Sequence, residues 1–246
     1  MTANTLKLKK RILVFASGEK DGGGSGFKEM CEYSRTEPAI LDATIVGVVS
    51  NHRNGGVRKH AEDMQVPFYH WGGPYVAKAD GGKVGYRDLV KMYAADFVML
   101  SGWLKPERGL NPRIVLNIHP ALLPGDGTSG EFGGKDMWGH YVHEAVYKSF
   151  QEGRVHQSGV TIHFVTDYDE DGYDVGPIVW QMPVELRDDD TPKTIGNRVN
   201  QVERAWQSHI LNLVVNGEIF LNDVEGEMVV QWKENGIATA IPGLAR

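Results

Sequence analysis

Residues 11–26 read Arg-Ile-Leu-Val-Phe-Ala-Ser-Gly-Glu-Lys-Asp-Gly-Gly-Gly-Ser-Gly. The compact apolar run at 11–17 predicts a buried strand, which Gly18 ends. The glycine-rich stretch that follows predicts a loop, and the spacing of apolar residues over 27–34 predicts a short helix. A strand, a glycine-rich loop and a helix in this order are typical of an open α/β sheet, which binds ligands at the carboxyl ends of its strands.

Alternating strands and helices continue through the first 120 residues or so. Further strands are predicted at 42–50, 66–70, 97–101 and 114–118, and helices at 57–64 and 86–93. Because each predicted strand is apolar throughout, the strands are expected to form a parallel sheet that is covered on both faces. Residues 160–166 and 177–182 predict an antiparallel extension, and 194–214 predicts a long closing helix. The predicted fold class is α/β, with a Rossmann-like, doubly wound, mostly parallel sheet in a single domain.

Composition narrows the classes of partner. The 246 residues carry 26 Lys and Arg against 32 Asp and Glu, which gives a formal net charge of −6. A net negative charge repels phosphate backbones and anionic lipid surfaces, so no nucleic-acid or membrane partner is expected. No apolar run approaches the ~20 residues of a membrane span, and the run at 12–16 is too short for the core of a signal peptide. The sequence therefore predicts a cytoplasmic protein.

The first candidate site is the start of the helix after the glycine-rich loop. Gly24, Ser25 and Gly26 lie where free backbone N–H groups and the helix dipole suit a phosphate. A merely flexible turn is the alternative interpretation. The dinucleotide-binding fingerprint is not matched, because Phe27 stands where its third glycine belongs, and this disfavours a nicotinamide oxidoreductase.

The second candidate is the segment Asn117-Ile-His-Pro-Ala-Leu-Leu-Pro124. Alternation along a strand points Asn117 and His119 in the same direction, at the carboxyl edge of the predicted sheet. An asparagine amide donates a hydrogen bond, and a histidine passes a proton near neutral pH, so the pair suits stabilisation of an oxyanion in acyl transfer. A purely structural histidine is the alternative.

The third candidate is the acidic stretch at 167–177. Asp167, Asp169, Asp171 and Gly172 match the first positions of a calcium-binding loop, but Ile178 stands where the bidentate glutamate is required. Crowded carboxylates raise one another's pKa, so Asp174 beside a Gly-Pro turn could act as a base or orient a histidine. A solvated acidic turn is the alternative.

A possible zinc pair lies further along the chain. His140 and His143 lie near one face of a predicted helix, but no third zinc ligand is specified. A surface or pocket-lining role is therefore expected for both histidines.

The segment at 117–124 resembles a motif of the folate-dependent formyltransferases. Other segments that resemble this family follow in the family's order, at 17–18 with 24–26, 50–51, 101–106, 143–146, 160–165 and 174–177. The resemblance runs from about residue 10 to residue 221. It implies an N-terminal extension at 1–9, a formyltransferase domain at 10–221 and a C-terminal tail at 222–246. Loops near 19–22, 125–134 and 167–174 are longer than in the compact family members.

The resemblance implies an activity. A formyl group would pass from the co-substrate 10-formyltetrahydrofolate to the amine of 5-phosphoribosylglycinamide, by direct attack through a tetrahedral intermediate that needs no metal. Another small amine, such as an amino sugar nucleotide, is the alternative acceptor, and a catalytically silent nucleotide- or folate-binding module is the alternative class. A homodimer is left open.

The resemblance also implies roles for individual residues. Asn117 and His119 would stabilise the oxyanion, while Asp174 would raise the pKa of the histidine and assist proton removal from the amine. Glu203 would contact the ribose or the glycinamide. The phosphate would be held by Gly24, Ser25 and Gly26, and the folate would contact Leu104, Lys105, Pro106, Glu107, Asn117 and Asp171.

Overall fold

A computed structural model describes residues 8–19, 22–73, 84–126, 128–166 and 174–233 of the chain. The strands are β1 (Lys10–Phe15), β2 (Ala43–Ser50), β3 (Phe68–His70), β4 (Phe97–Ser101), β5 (Val115–His119), β6 (Gln157–Phe164), β7 (Ile178–Glu185), β8 (Ile219–Val224) and β9 (Glu227–Trp232). The helices are α1 (Ser25–Tyr33), α2 (Gly56–Asp63), α3 (Tyr86–Met92), α4 (His140–Gln151) and α5 (Pro192–Val215).

The first seven strands form one sheet in the order β3-β2-β1-β4-β5-β6-β7. The pairs among β1 to β5 are parallel, whereas β5 with β6 and β6 with β7 are antiparallel. The predicted α/β class, with a mostly parallel sheet and an antiparallel extension, is confirmed. The order reverses between β1 and β4, and this switch point opens the crevice in which doubly wound sheets bind their ligands.

Strand β1 contributes to the core on both faces of the sheet, because its residues 12–15 are all apolar and buried. Ile12 and Val14 pack in one cluster, with side chains from α1, α2 and α5. Leu13 and Phe15 pack in the cluster on the opposite face, with side chains from α3. Successive residues of a strand point to opposite faces, so an unbroken apolar run supplies both layers of the core at once.

Helix α5 crosses one face of the sheet and packs against α1, α4 and β6. Thr191 caps its N-terminus by accepting a hydrogen bond from Thr194 N at 3.2 Å. From the second turn of the helix, Arg198 donates to both carboxylate oxygens of buried Asp190, at 2.6 and 2.5 Å. These contacts fix the start of the helix that forms one wall of the cavity described below.

The C-terminal region forms a β-hairpin, which the sequence does not predict. The apolar run at 228–232 forms β9, which pairs with β8 in an antiparallel hairpin apart from the main sheet. The predicted domain boundary at residue 221 falls inside β8, where Leu221 is buried in the core. In the part of the chain that the structure describes, no helix is long and apolar enough to span a membrane.

Candidate active site

A cavity of about 870 Å³ opens at the carboxyl ends of β1, β4 and β5. Its walls come from the loop after β1, the segment after β4, the end of β5, the segment before α4 and one face of α5. The sequence-predicted residues among those lining it are Gly24, Ser25, Gly26, Leu104, Lys105, Pro106, Glu107, Asn117, His119, Asp174 and Glu203. Asp171 lies outside the described residues. The volume is within the range of small-molecule sites.

Asn117 and Asp174 meet at the end of β5. Asn117 Nδ2 donates to Asp174 Oδ1 at 3.1 Å, and it lies 3.1 Å from His163 Nε2. His163 is opposite Asn117 in the antiparallel pairing of β5 with β6, and its Nδ1 lies 2.9 Å from Phe164 O. Donation from Nδ1 to that carbonyl leaves Nε2 as an acceptor for the Asn117 amide. This arrangement holds the amide at the edge of the cavity.

His119 is buried and has an oxygen beside each ring nitrogen. Nε2 lies 2.7 Å from Phe132 O, and Nδ1 lies 3.3 Å from Asp174 Oδ2. A carbonyl only accepts, so Nε2 carries a hydrogen in either charge state, and the exchangeable proton sits on Nδ1. The imidazole therefore gains and loses its proton on the side that faces Asp174.

The Asp174 carboxylate is held by its backbone as well as by its partners. Its φ of 58° is in the left-handed region, which aspartate adopts at some cost. Gly134 N donates to Oδ2 at 3.1 Å. Two residues further on, a Cβ at Gly176 would lie 1.6 Å from Phe164 O, so only glycine permits this close approach. The turn thus fixes where the carboxylate points.

Burial and charge set the protonation of this group. Burial alone would raise the pKa of Asp174, but the interaction with His119 and the hydrogen bond from Gly134 N hold it below its usual value. Burial lowers the pKa of His119, and Asp174 raises it by less, so the net direction is downward. The resting site is therefore an ionised carboxylate beside a neutral imidazole near neutral pH.

The N-terminus of α1, which follows β1, forms the end of the cavity that β4 separates from the end of β5. Gly24 precedes the helix with φ 80°, and no side chain caps the first turn. The first N–H groups of a helix have no partner within the helix, and the dipole favours an anion beside them. A Cβ at Gly26 would lie 2.6 Å from Ser101 Oγ, so the backbone here packs closely against the end of β4.

The wall that α5 contributes carries a carboxyl group. Glu203 is half-buried, and Asn200 Nδ2 donates to its Oε2 at 3.1 Å. Burial raises the pKa of Glu203 to about 7, against the opposing effect of Asn200. Near neutral pH the group is partly protonated, and it can both donate to and accept from a ligand hydroxyl.

Hydrogen bonds with buried side chains hold the segment after β4 in place. Trp103 Nε1 donates to Tyr86 Oη at 2.7 Å, and Tyr86 Oη donates to Pro106 O at 2.9 Å. Buried Glu107 accepts from Leu110 N at 3.0 Å, so its carboxylate is engaged by its own loop. Leu104 is 40% exposed toward the cavity. The predicted folate contact therefore presents its apolar side chain from a rigid backbone.

His140 and His143 both line the cavity, as the pocket-lining interpretation predicts. Burial lowers the pKa of His143 to about 4, with His119 and His140 acting in the same direction. Among the described residues, no group of three or more His, Cys, Asp and Glu side chains is placed to hold a metal ion. The acidic residues at 167–173 are outside the described part of the chain.

Three groups at the site escaped the sequence prediction. His163 had a signal, because the antiparallel pairing of two predicted strands places it beside Asn117 once the register is known. The Phe132 carbonyl had none, since a backbone oxygen has no sequence signature. Gln207, buried in the wall on α5, makes its contacts with residues far away in the sequence.

Known proteins resemble this chain in sequence. The sequence profile of the formyl transferase family matches residues 10–211. The chloroplastic phosphoribosylglycinamide formyltransferase of Arabidopsis thaliana is 32% identical over 93% of this chain and 70% of its own length. The phosphoribosylglycinamide formyltransferase of Bacillus subtilis is 26% identical over 82% of this chain and 93% of its own length.

A solved structure has the same fold. The crystal structure of glycinamide ribonucleotide transformylase 1 from Symbiobacterium toebii superposes with a TM-score of 0.71, at 24% identity, over 91% of this chain and 94% of that one. The chain belongs to the formyl transferase family. The relatives named above are phosphoribosylglycinamide formyltransferases. The cytoplasmic location and the roles of individual site residues stay predictions.

Proposed function

We propose that this protein transfers the formyl group of 10-formyltetrahydrofolate to the amine of 5-phosphoribosylglycinamide, giving formylglycinamide ribonucleotide and tetrahydrofolate. The observation that carries the proposal is one cavity with two different ends. One end holds an amide, an imidazole and a carboxylate in contact, and the other holds an uncapped helix N-terminus. A substrate with an amine at one end and a phosphate at the other fits both.

The residues at the two ends orient the substrates. Gly24, Ser25 and Gly26 hold the phosphate through backbone N–H groups. Glu203 contacts the ribose or the glycinamide from α5. The segment 104–107 forms the folate side, with Leu104 against the apolar part of the co-substrate. Holding the amine and the formyl carbon in contact removes much of the entropic part of the barrier.

The proton follows the contacts between Asp174 and His119. As the amine nitrogen bonds to the formyl carbon, Asp174 accepts the proton that the amine loses and shares it with His119 Nδ1. The Nδ1–H of the protonated imidazole then turns from Asp174 to the oxyanion of the tetrahedral intermediate, and the Asn117 amide donates to it with the N–H that leaves Asp174. His119 then returns the proton to the folate nitrogen as its bond to the formyl carbon breaks. The reaction is balanced, and the protein ends in its starting state.

Burial strengthens this arrangement. His119 is only 3% exposed, and charges separated from water interact more strongly with a developing oxyanion. The lowered pKa of His119 keeps it neutral until the amine supplies a proton. The imidazole is therefore ready to receive that proton rather than already carrying one.

The test is an assay of purified protein with 10-formyltetrahydrofolate and a panel of amines. The expected result is release of tetrahydrofolate in equal amount to formylated phosphoribosylglycinamide, with a strong preference over an amino sugar nucleotide and over glycinamide. Preferred formylation of the amino sugar nucleotide would show that this compound, and not phosphoribosylglycinamide, is the acceptor. Absence of formyl transfer to every amine would reject the proposed activity.

A further inference from the structure

Gln207 is a buried polar residue in the cavity wall that the proposed mechanism does not use. Its side chain projects from α5 and is 2% exposed. Its Oε1 accepts a hydrogen bond from Ser101 Oγ at 3.1 Å. Its Nε2 has no hydrogen-bond partner among the described residues. The amide thus has its acceptor satisfied and its donor unsatisfied.

The amide lies in the space that a side chain at position 26 would fill. A Cβ built on Gly26 would lie 3.0 Å from Gln207 Oε1 and 3.6 Å from Nε2. Gly26 belongs to the first turn of α1, whose N–H groups have no side-chain cap. The absence of a side chain at Gly26 therefore lets α5 place an amide beside the helix N-terminus.

An unsatisfied buried donor is rare in native proteins and calls for a partner. Because the unsatisfied group is an N–H, the partner is an acceptor, and the adjacent helix N-terminus selects one with negative charge. Arg204, the cationic side chain nearest along α5 in this wall, is engaged with Glu29 at 3.4 Å. The Gln207 amide is thus a neutral donor that this wall adds beside the helix N-terminus.

We propose that Gln207 is an acceptor-binding residue, whose side-chain amide donates a hydrogen bond to the phosphate of the acceptor beside the N-terminus of α1. The inference rests on the proposed function, because it concerns the phosphate end of the same substrate. It adds a side-chain donor from α5 to the backbone donors of the loop. Gln207 therefore helps to select acceptors that carry a phosphate.

The first test is steady-state kinetics of Gln207→Leu and Gln207→Glu. Loss of a hydrogen bond to a charged group raises the KM for phosphoribosylglycinamide about tenfold or more in Gln207→Leu. Gln207→Glu raises it further, because a carboxylate faces the phosphate. The KM for 10-formyltetrahydrofolate and kcat stay within about twofold of the native values. An unchanged acceptor KM in both variants overturns the assignment.

The matched control is Ser208→Ala. Ser208 is the next residue on α5, is 1% exposed and also has an unpartnered buried Oγ, but it does not line the cavity. Its substitution leaves the acceptor KM unchanged. A rise in acceptor KM equal to that of Gln207→Leu would assign the effect to the packing of α5 and overturn the role of the amide.

Direct binding separates this inference from the proposed reaction. Titration calorimetry with ribose 5-phosphate and with inorganic phosphate measures the anion site without catalysis. Wild-type protein binds ribose 5-phosphate about tenfold more tightly than Gln207→Leu does, and this result supports the assignment even if no amine is formylated. Equal affinities, or no binding of either ligand to the wild type, overturn it.

Discussion

The two ends of the cavity present different kinds of chemical group. The transfer centre of Asn117, His119 and Asp174 consists of side chains, two of them titratable, in direct contact. The anion end consists of backbone N–H groups at the start of α1, with the neutral amide of Gln207 beside them. A reaction that moves a proton needs groups whose charge changes, whereas a phosphate keeps its charge throughout. In the proposed reaction, neutral donors would hold the phosphate without adding a charge near the titratable groups at the other end.

This difference separates catalysis from selection. Substitutions at the transfer centre should act mainly on kcat, because their hydrogen bonds strengthen in the transition state. Substitutions at the anion end should act mainly on the acceptor KM, because the phosphate is bound equally in the ground state and the transition state.

The largest effect is expected from Asp174→Asn and Asn117→Ala. The first removes the proton acceptor while keeping the shape of the side chain, and the second removes a donor to the oxyanion. Each lowers kcat about 10²-fold or more, with the acceptor KM nearly unchanged. Initial rates of tetrahydrofolate release at varied acceptor concentration give both kcat and KM. A rise in KM with native kcat would show that these residues bind substrate rather than act on the reacting atoms.

A smaller effect is expected from Gly26→Ala. Its Cβ would lie 2.6 Å from Ser101 Oγ and 3.0 Å from Gln207 Oε1, so the amide and the first turn of α1 must separate. The acceptor KM rises about tenfold, while kcat stays close to native. The control is Gly22→Ala in the same loop, where a Cβ would meet nothing within 4 Å. Equal effects of the two variants would contradict the close packing at Gly26.

The smallest effect is a shift in the pH profile. Burial lowers the pKa of His119 from 6.5, and the mechanism requires the neutral imidazole in the free enzyme. The acid limb of kcat/KM therefore lies below pH 6.5, and activity is lost as the pH falls through it. In the residual activity of Asp174→Asn the limb moves to still lower pH, because the negative neighbour that raises the pKa is gone. A shift to higher pH would contradict the pairing of these residues.

The sequence predicts the sheet well because unbroken apolar runs such as 11–17 have one physical use, a strand buried on both faces. It also predicts the placement of Asn117 and His119, because alternation along one strand fixes their common direction. The role of Gln207 could not be predicted from the sequence, because it depends on how α5 packs on α1 and brings the Gln207 side chain beside Gly26. The Phe132 carbonyl escapes because it is a backbone atom, and its position is set by a loop fold that composition does not encode.

The central claim is that one end of the cavity performs the chemistry while the other recognises phosphate. The most direct measurement compares phosphoribosylglycinamide with its analogue that lacks the phosphate, as acceptors for the wild-type protein. The phosphate-free acceptor loses several hydrogen bonds to a charged group. Its kcat/KM should therefore be lower by about 10²-fold or more, almost entirely through KM. Equal kcat/KM values, or a loss confined to kcat, would contradict the division of the site into a transfer centre and an anion end.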